Sequence, residues 1–116
     1  WSLATVRTWP WWEWSLGPRI RRDSFRPRPA VDAAVLRLER RRQPLLPRAA
    51  EKAWVRAVET GFMGVGGSLR ASLGTIYPQR LVDAAVTRAR VSRDEVVAFV
   101  TPAQWTAIFA ELSSRR

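Results

Sequence analysis

The chain contains no cysteine, no histidine and no asparagine, and only one lysine (Lys52), one methionine (Met63) and one tyrosine (Tyr77). Without cysteine there is no disulfide scaffold, thiolate metal site or thiol nucleophile; without histidine there is no imidazole ligand, no serine–histidine pair and no histidine general base. Long apolar runs are missing as well. No window approaches the ~18 apolar residues that span a bilayer, and no charged-then-apolar leader opens the chain. A soluble, cytoplasmic protein with no membrane and no metal partner is expected. Because the chain opens on Trp1 and not on methionine, it is expected to be a piece of a longer protein. Acidic residues are few and scattered. Glu13 and Asp32 stand alone, so no paired-carboxylate acid–base site can be argued.

What is present is basic. Twenty Lys plus Arg against ten Asp plus Glu give a formal charge of +10, nearly all of it arginine. That balance points to RNA, DNA or another acidic surface. At 116 residues, with 47% apolar and 26% charged content, the chain is one domain's worth of ordinary globular mixture.

Five of the seven tryptophans fall between Trp1 and Leu16. Their β propensity predicts a strand, with Pro10 at its start or its edge and Gly17-Pro18 ending it. Arg19 to Arg28 reads as an ordered, irregular connector. A second strand is predicted over Val31 to Glu39, apolar on both faces and therefore expected to lie between covering layers. Two strands alone are marginal, so further strands are expected upstream. After the break at Arg40-Arg41-Arg42-Gln43-Pro44 the pattern turns helical. Helices are predicted over Arg48 to Met63 (stripe Trp54, Val58, Phe62), over Ser68 to Leu73, and from Pro78 as first helical residue through Leu81, Val82, Ala85, Val86 and Ala89. Two capping boxes follow, Ser92 with Glu95 and Thr101 with Gln104. The second opens a helix bearing Trp105, Ile108, Phe109 and Leu112, and Ser113 to Arg116 is expected to fray. The division is thus 1–42, a strand pair with a basic connector, and 43–116, a helical domain.

Gly64-Val65-Gly66-Gly67 invites a phosphate-loop reading, but it follows a helix and lacks both the lysine and the third dinucleotide glycine, so a helix–helix turn fits better. The arginines are the stronger signal. Arg19, Arg21, Arg22, Arg26 and Arg28 cluster beside Phe25 and near Trp14, pairing phosphate-binding forks with surfaces for base stacking. Against this, a charge run is often a solvated face, and a GC-rich genome inflates arginine everywhere. Most tryptophans of the run are expected to pack in the core or against a neighbouring subdomain.

The segment from Thr8-Trp9-Pro10-Trp11-Trp12-Glu13-Trp14 through Arg22-Asp23-Ser24-Phe25-Arg26-Pro27-Arg28-Pro29-Ala30-Val31-Asp32 resembles the late portion of the ribosomal RNA adenine dimethyltransferases, and within them the erythromycin-resistance methylases. Phe62, Leu69, Leu73, Thr101-Pro102-Ala103-Gln104-Trp105 and Phe109 resemble that family's C-terminal helical domain. The resemblance implies an α+β fragment: the last two antiparallel strands of a Rossmann-like S-adenosylmethionine methyltransferase sheet, then an all-α C-terminal domain. It implies a 23S rRNA adenine N6-methyltransferase, with the cofactor loop and the Asn-x-Pro-aromatic motif on an upstream methyltransferase domain. With no asparagine here, the chain alone is expected to bind no S-adenosylmethionine and to be inactive. Phe25 matches the aromatic that faces the flipped target adenine, a role that base chemistry outside the stack requires; the alternative is that it plugs the connector against the sheet. Arg19, Arg21, Arg22, Arg26 and Arg28, with Arg40, Arg41 and Arg42, would contact rRNA phosphates. Two departures stand out: Met63 to Ser68 carries none of the basic residues usual after the first domain helix, and Ala33 replaces a usual Ser or Gly. A stand-alone RNA-binding or ribosome-associated module, the small-subunit rRNA branch, and a purely structural helical brace are the rival readings. Exposed strand edges would make the isolated fragment self-associate.

Overall fold

The structure, a computed structural model, describes residues 1–114. A helix α1 (Leu3–Thr8) leads into two strands, β1 (Trp12–Ile20) and β2 (Ala33–Arg40), and these are followed by α2 (Glu51–Phe62), α3 (Leu69–Leu73), α4 (Gln79–Arg88) and α5 (Pro102–Ser114). The strands pair antiparallel as a two-stranded ribbon, and no further strand occurs among the described residues. No helix among them is long and apolar enough to cross a membrane.

The opening segment departs from the predicted strand. Ser2 caps a helix, its Oγ accepting from Thr5 N at 3.3 Å, and Val6 is fully buried against the helical body. Trp54 Nε1 donates to Arg7 O at 2.9 Å, and Trp1 N donates to Ala98 O at 2.8 Å. Tertiary packing overrides the β propensity of Thr5, Val6 and Thr8. Pro10, with no N–H to give, follows the cap residue Trp9 and ends the helix.

Gly17-Pro18 does not end β1. The pairing runs Trp12–Arg40, Trp14–Leu38 and Leu16–Leu36, then resumes at Arg19–Ala34, so Gly17 and Pro18 together oppose Val35. This is a β-bulge, which absorbs a residue that cannot donate to the ladder. Glycine suits the bulge because a Cβ would lie 3.2 Å from Val35 Cβ and Val35 O, close enough that Val35 would have to give way by a few tenths of an ångström. The predicted double burial of the second strand is also corrected: in β2 only Ala33 is partly buried, and Leu36 and Leu38 are 59% and 45% exposed. On the ribbon face that carries Trp14, Leu16, Leu36 and Leu38, the three leucines lie exposed with no second layer over them within the described residues, whereas Trp14 is partly buried.

The core sits among the helices. Trp54 meets Phe109 and Trp105 edge-on, at 5.4 and 6.3 Å between centroids, and Phe62 stacks on Trp105 at 6.2 Å. Val58, Leu69, Leu73, Val82, Val86, Ile108 and Leu112 complete it. Burying an aromatic of ~150–250 Å² contributes roughly 4–6 kcal/mol before chain entropy is subtracted, so this cluster dominates the stability of the helical body. At the start of α5 the box is reciprocal: Gln104 N donates to Thr101 Oγ1 (3.1 Å) and Thr101 N to Gln104 Oε1 (2.9 Å). The Ser92 box does not form. Glu95 N instead donates to Ser92 O at 3.1 Å in a plain turn, and a single 3₁₀ turn, Val97–Phe99, follows. Pro78 is the cap of α4, one position ahead of the predicted place. Ser113 and Ser114 belong to α5, whereas the rest of the predicted fraying, at Arg115 and Arg116, lies outside the described residues.

Between α2 and α3, Gly64, Gly66 and Gly67 take φ of +74°, +76° and +81°, and Ser68 Oγ accepts from Ala71 N at 3.1 Å. The backbone here turns one helix into the next, as the turn reading expected. Arg70, the first basic residue after this turn, is committed to a bidentate pair with Asp83 that ties α3 to α4, and Gln79 Nε2 donates to the same carboxylate at 3.0 Å. These hydrogen bonds, the one from Arg70 foremost, hold the Asp83 carboxyl below its ordinary value, and that same bond raises the Arg70 pKa.

Candidate nucleic-acid interface

The predicted basic residues fall into two groups, one at each end of the ribbon. The connector between Ile20 and Ala33 closes one end. Asp32 organises it: Oδ2 pairs with Arg19 Nη2 at 2.9 Å, and Oδ1 accepts from Arg22 N at 2.7 Å. Arg22 Nη1 also donates to Ala30 O at 3.3 Å, and Arg28 Nη2 pairs with Asp23 Oδ1 at 2.9 Å. Arg19, Arg22 and Arg28 thus fix the loop's shape while their guanidinium groups remain on an exposed surface. Arg21 and Arg26 make no ion pair among the described residues. A single 3₁₀ turn, Arg22–Ser24, presents Phe25 just beyond it, 39% exposed. The side chain is neither sealed inside a core nor fully free, so one surface of it is open to a planar partner.

Arg40, Arg41 and Arg42 lie at the other end, where β2 runs into the loop before α2. The structure separates them. Arg41 is structural: its Nε donates to Trp9 O at 2.7 Å, its backbone N to Trp11 O at 2.9 Å, and its guanidinium lies 5.1 Å from the Trp9 ring centroid. Arg40 lies over Trp12 at 5.1 Å, which pins the guanidinium plane, and it forms no ion pair among the described residues. Arg42 is exposed. Arg40 and Arg42, with Trp12, Pro44, Pro47 and Arg48, line a cavity of about 360 Å³. A second cavity of about 340 Å³ continues from it, sharing Trp11, Trp12, Arg40 and Arg48 and adding Arg7 and Glu51.

Sequence reasoning missed Arg48 and Arg7. Arg48 was absorbed into a helix start; the available signal was its place directly after Pro47, where a stiff turn directs the chain back toward Arg42. The tryptophans divide as well. Trp11 is buried and Trp9 partly so, with Trp1 edge-on to it at 6.0 Å, and Trp14 Nε1 donates to Thr8 Oγ1 at 2.9 Å. They join α1 to the ribbon, leaving Trp12 as the tryptophan shared by both cavities at the basic end alongside buried Trp11.

Among the described residues the glycines of the Gly64–Gly67 turn follow a helix, and the two strands are joined by the connector and not by a glycine loop leading into a helix.

Comparison with known proteins places this geometry. Residues 1–114 match the family model described as ribosomal RNA adenine dimethylase. The chain is 55% identical over 115 residues to an rRNA methyltransferase of Streptomyces thermotolerans, covering 99% of this chain and 38% of that protein. It is 54% identical over 112 residues to an rRNA adenine N-6-methyltransferase of Streptomyces fradiae, with 97% and 35% coverage. The crystal structure of the 23S rRNA methyltransferase ErmE superposes with a TM-score of 0.88 at 46% identity, over 97% of this chain and 46% of that one. The chain therefore spans between about a third and a half of the length of these relatives. It belongs to the ribosomal RNA adenine dimethylase family, in the erythromycin-resistance branch.

Proposed function

We propose that the chain is the C-terminal part of an S-adenosylmethionine-dependent 23S rRNA adenine N6-methyltransferase of the macrolide-resistance kind, and that it supplies rRNA binding and the stacking surface for the target base. The observation that carries this is the likeness to ErmE, at a TM-score of 0.88 over 97% of the chain. In this reading β1 and β2 are the last two strands of a Rossmann-like sheet, and residues 43–116 form the C-terminal helical domain. The uncovered apolar part of the ribbon, Leu16, Leu36 and Leu38, is what the preceding catalytic layers would bury.

S-adenosylmethionine, held by the upstream part, supplies the methyl group. The chemistry left to this chain is positional. A base that reacts at an exocyclic nitrogen has to leave its stack, and the half-open Phe25 ring offers a face on which the purine can rest. Around it Arg19, Arg21, Arg22, Arg26 and Arg28 neutralise the phosphates of the flanking nucleotides, which fixes register without reading sequence. Salt pairs with Asp32 and Asp23 hold Arg19 and Arg28 in place before RNA arrives, and the Arg22 guanidinium is held by its bond to Ala30 O.

The test is methyl transfer to protein-free 23S rRNA by this chain alone and by the chain joined to its upstream sequence. Transfer by the joined protein, with RNA binding but no transfer by the chain alone, is the expected result. A joined protein that leaves 23S rRNA unmethylated would sink the reading.

A further inference from the structure

We infer that the groove at the Trp12–Arg40 end of the ribbon is a second RNA-contact site, one that holds a phosphodiester of the substrate remote from the target base. The inference rests on the rRNA reading above and adds a location to it. Two stretches distant in sequence converge there: residues 40–48, which run from the end of β2 through the Pro44–Pro47 loop to Arg48, and residues 7–12, with Arg7 of α1 and Trp12. Two contiguous cavities of about 360 and 340 Å³ are of the size that accepts a small ligand or one unit of a polymer.

Charge decides the class of ligand. Five arginines (Arg7, Arg40, Arg41, Arg42 and Arg48) line the groove against one carboxylate, Glu51, whose Oε2 is 3.2 Å from Arg48 Nε. Arg7 is shared with Glu59 at 3.6 Å, Arg48 with Glu51, and Arg41 is tied to Trp9, so Arg40 and Arg42 carry the excess, with the exposed Arg48 beside them. Arg40 is stiffened by the Trp12 ring beneath it, which leaves its N–H edge to meet an anion at low entropic cost. The two prolines limit how far Arg42 and Arg48 can drift apart.

The position matters as much as the charge. Trp12–Arg40 and Ile20–Ala33 are the first and last pairs of the ribbon. At ~3.3 Å per residue the strands separate the groove from the connector by about 25 Å. An RNA stem or loop engaged at both ends is held by two independent points, which sets its orientation relative to Phe25 in a way one basic loop cannot.

The experiment measures binding of a fluorescent RNA hairpin of about 30 nucleotides, as a function of salt, to the chain and to three double variants. Arg42→Ala/Arg48→Ala opens the groove, Arg21→Ala/Arg26→Ala strips the connector, and Arg80→Ala/Arg93→Ala removes the same charge from α4 and the loop after it. The groove variant should lose about tenfold in affinity, and its log K against log salt slope should shrink by roughly 1.5, as loss of two phosphate contacts requires. The connector variant should lose a similar amount. Combining the two should add the losses, because the sites share no partner. The α4 variant should stay within twofold of the parent. Arg42→Lys/Arg48→Lys should restore most of the slope. If only the connector variant weakens binding, the groove is not a site. If the α4 variant loses as much as the groove variant, net charge alone is responsible and the inference fails. If neither basic cluster affects binding, the rRNA-binding reading itself fails with it.

Discussion

At the scale of single residues, neighbouring arginines in one sequence run have opposite duties, and their contacts tell them apart. Arg41 makes a 2.7 Å hydrogen bond to Trp9 O and lies over the Trp9 ring, whereas Arg42 projects into solvent. Arg41→Ala should therefore destabilise the chain by about 1–3 kcal/mol, and Arg42→Ala should stay within about 0.5 kcal/mol. Urea denaturation measures both; equal midpoints for the two variants would refute the division. Gly61 offers a second residue-level test. A Cβ there would come 2.5 Å from Trp105 Cη2 and 2.7 Å from Leu69 Cδ1. Alanine would gain up to ~1 kcal/mol of helix propensity, but Trp105 is fully buried and cannot yield. Overpacking of ~1–3 kcal/mol wins, so Gly61→Ala should lower the thermal midpoint, and a raised midpoint would show that the core gives way.

At the scale of elements, legibility in the sequence followed how local the stabilising contacts are. The α5 helix was readable because its determinants sit within a few residues: the Thr101–Gln104 box and the stripe Trp105, Ile108, Phe109, Leu112. Thr101→Ala should cost about 1 kcal/mol, which calorimetry of the two proteins resolves. The α1 helix was unreadable because what holds it is distant, Trp54 on Arg7 O and a pocket for Val6. The passage of β1 through Gly17-Pro18 shows only when Val35 is set opposite as a bulge partner. In the candidate interface the connector could be read from composition, whereas Arg48 and Arg7 join the groove only through the fold. Joining α3 to α4, the Arg70–Asp83 pair makes a pH prediction. Hydrogen bonds from Arg70 and Gln79 depress the folded-state carboxyl below the 3.8 expected in the unfolded chain. Its contribution is therefore complete above that value and is lost as pH falls through the lower, folded one. Between pH ~5 and ~2 the thermal midpoint should drop more steeply for the parent than for Asp83→Asn, and parallel curves would show that the pair contributes nothing.

At the scale of the whole molecule, the chain is a helical body with a projecting ribbon. Its radius of gyration is 16.9 Å and its extents are 54 × 33 × 21 Å, against a radius of about 13 Å for a compact chain of this length. A lone hairpin is marginal in water, and the exposed apolar face on this one invites a second copy. Sedimentation of the isolated chain should show concentration-dependent association, relieved by Leu16→Lys/Leu36→Lys; a monomer at every concentration would contradict it. The central claim is that this chain presents the target adenine for methylation. It is tested most directly by methyl transfer to 23S rRNA from the chain joined to its upstream sequence, comparing Phe25→Ala with the parent. Loss of a base–aromatic stack of ~1–3 kcal/mol should lower the rate roughly ten- to hundredfold, with Phe25→Tyr near the parent and RNA affinity within a few-fold. An unchanged rate for Phe25→Ala would contradict the account.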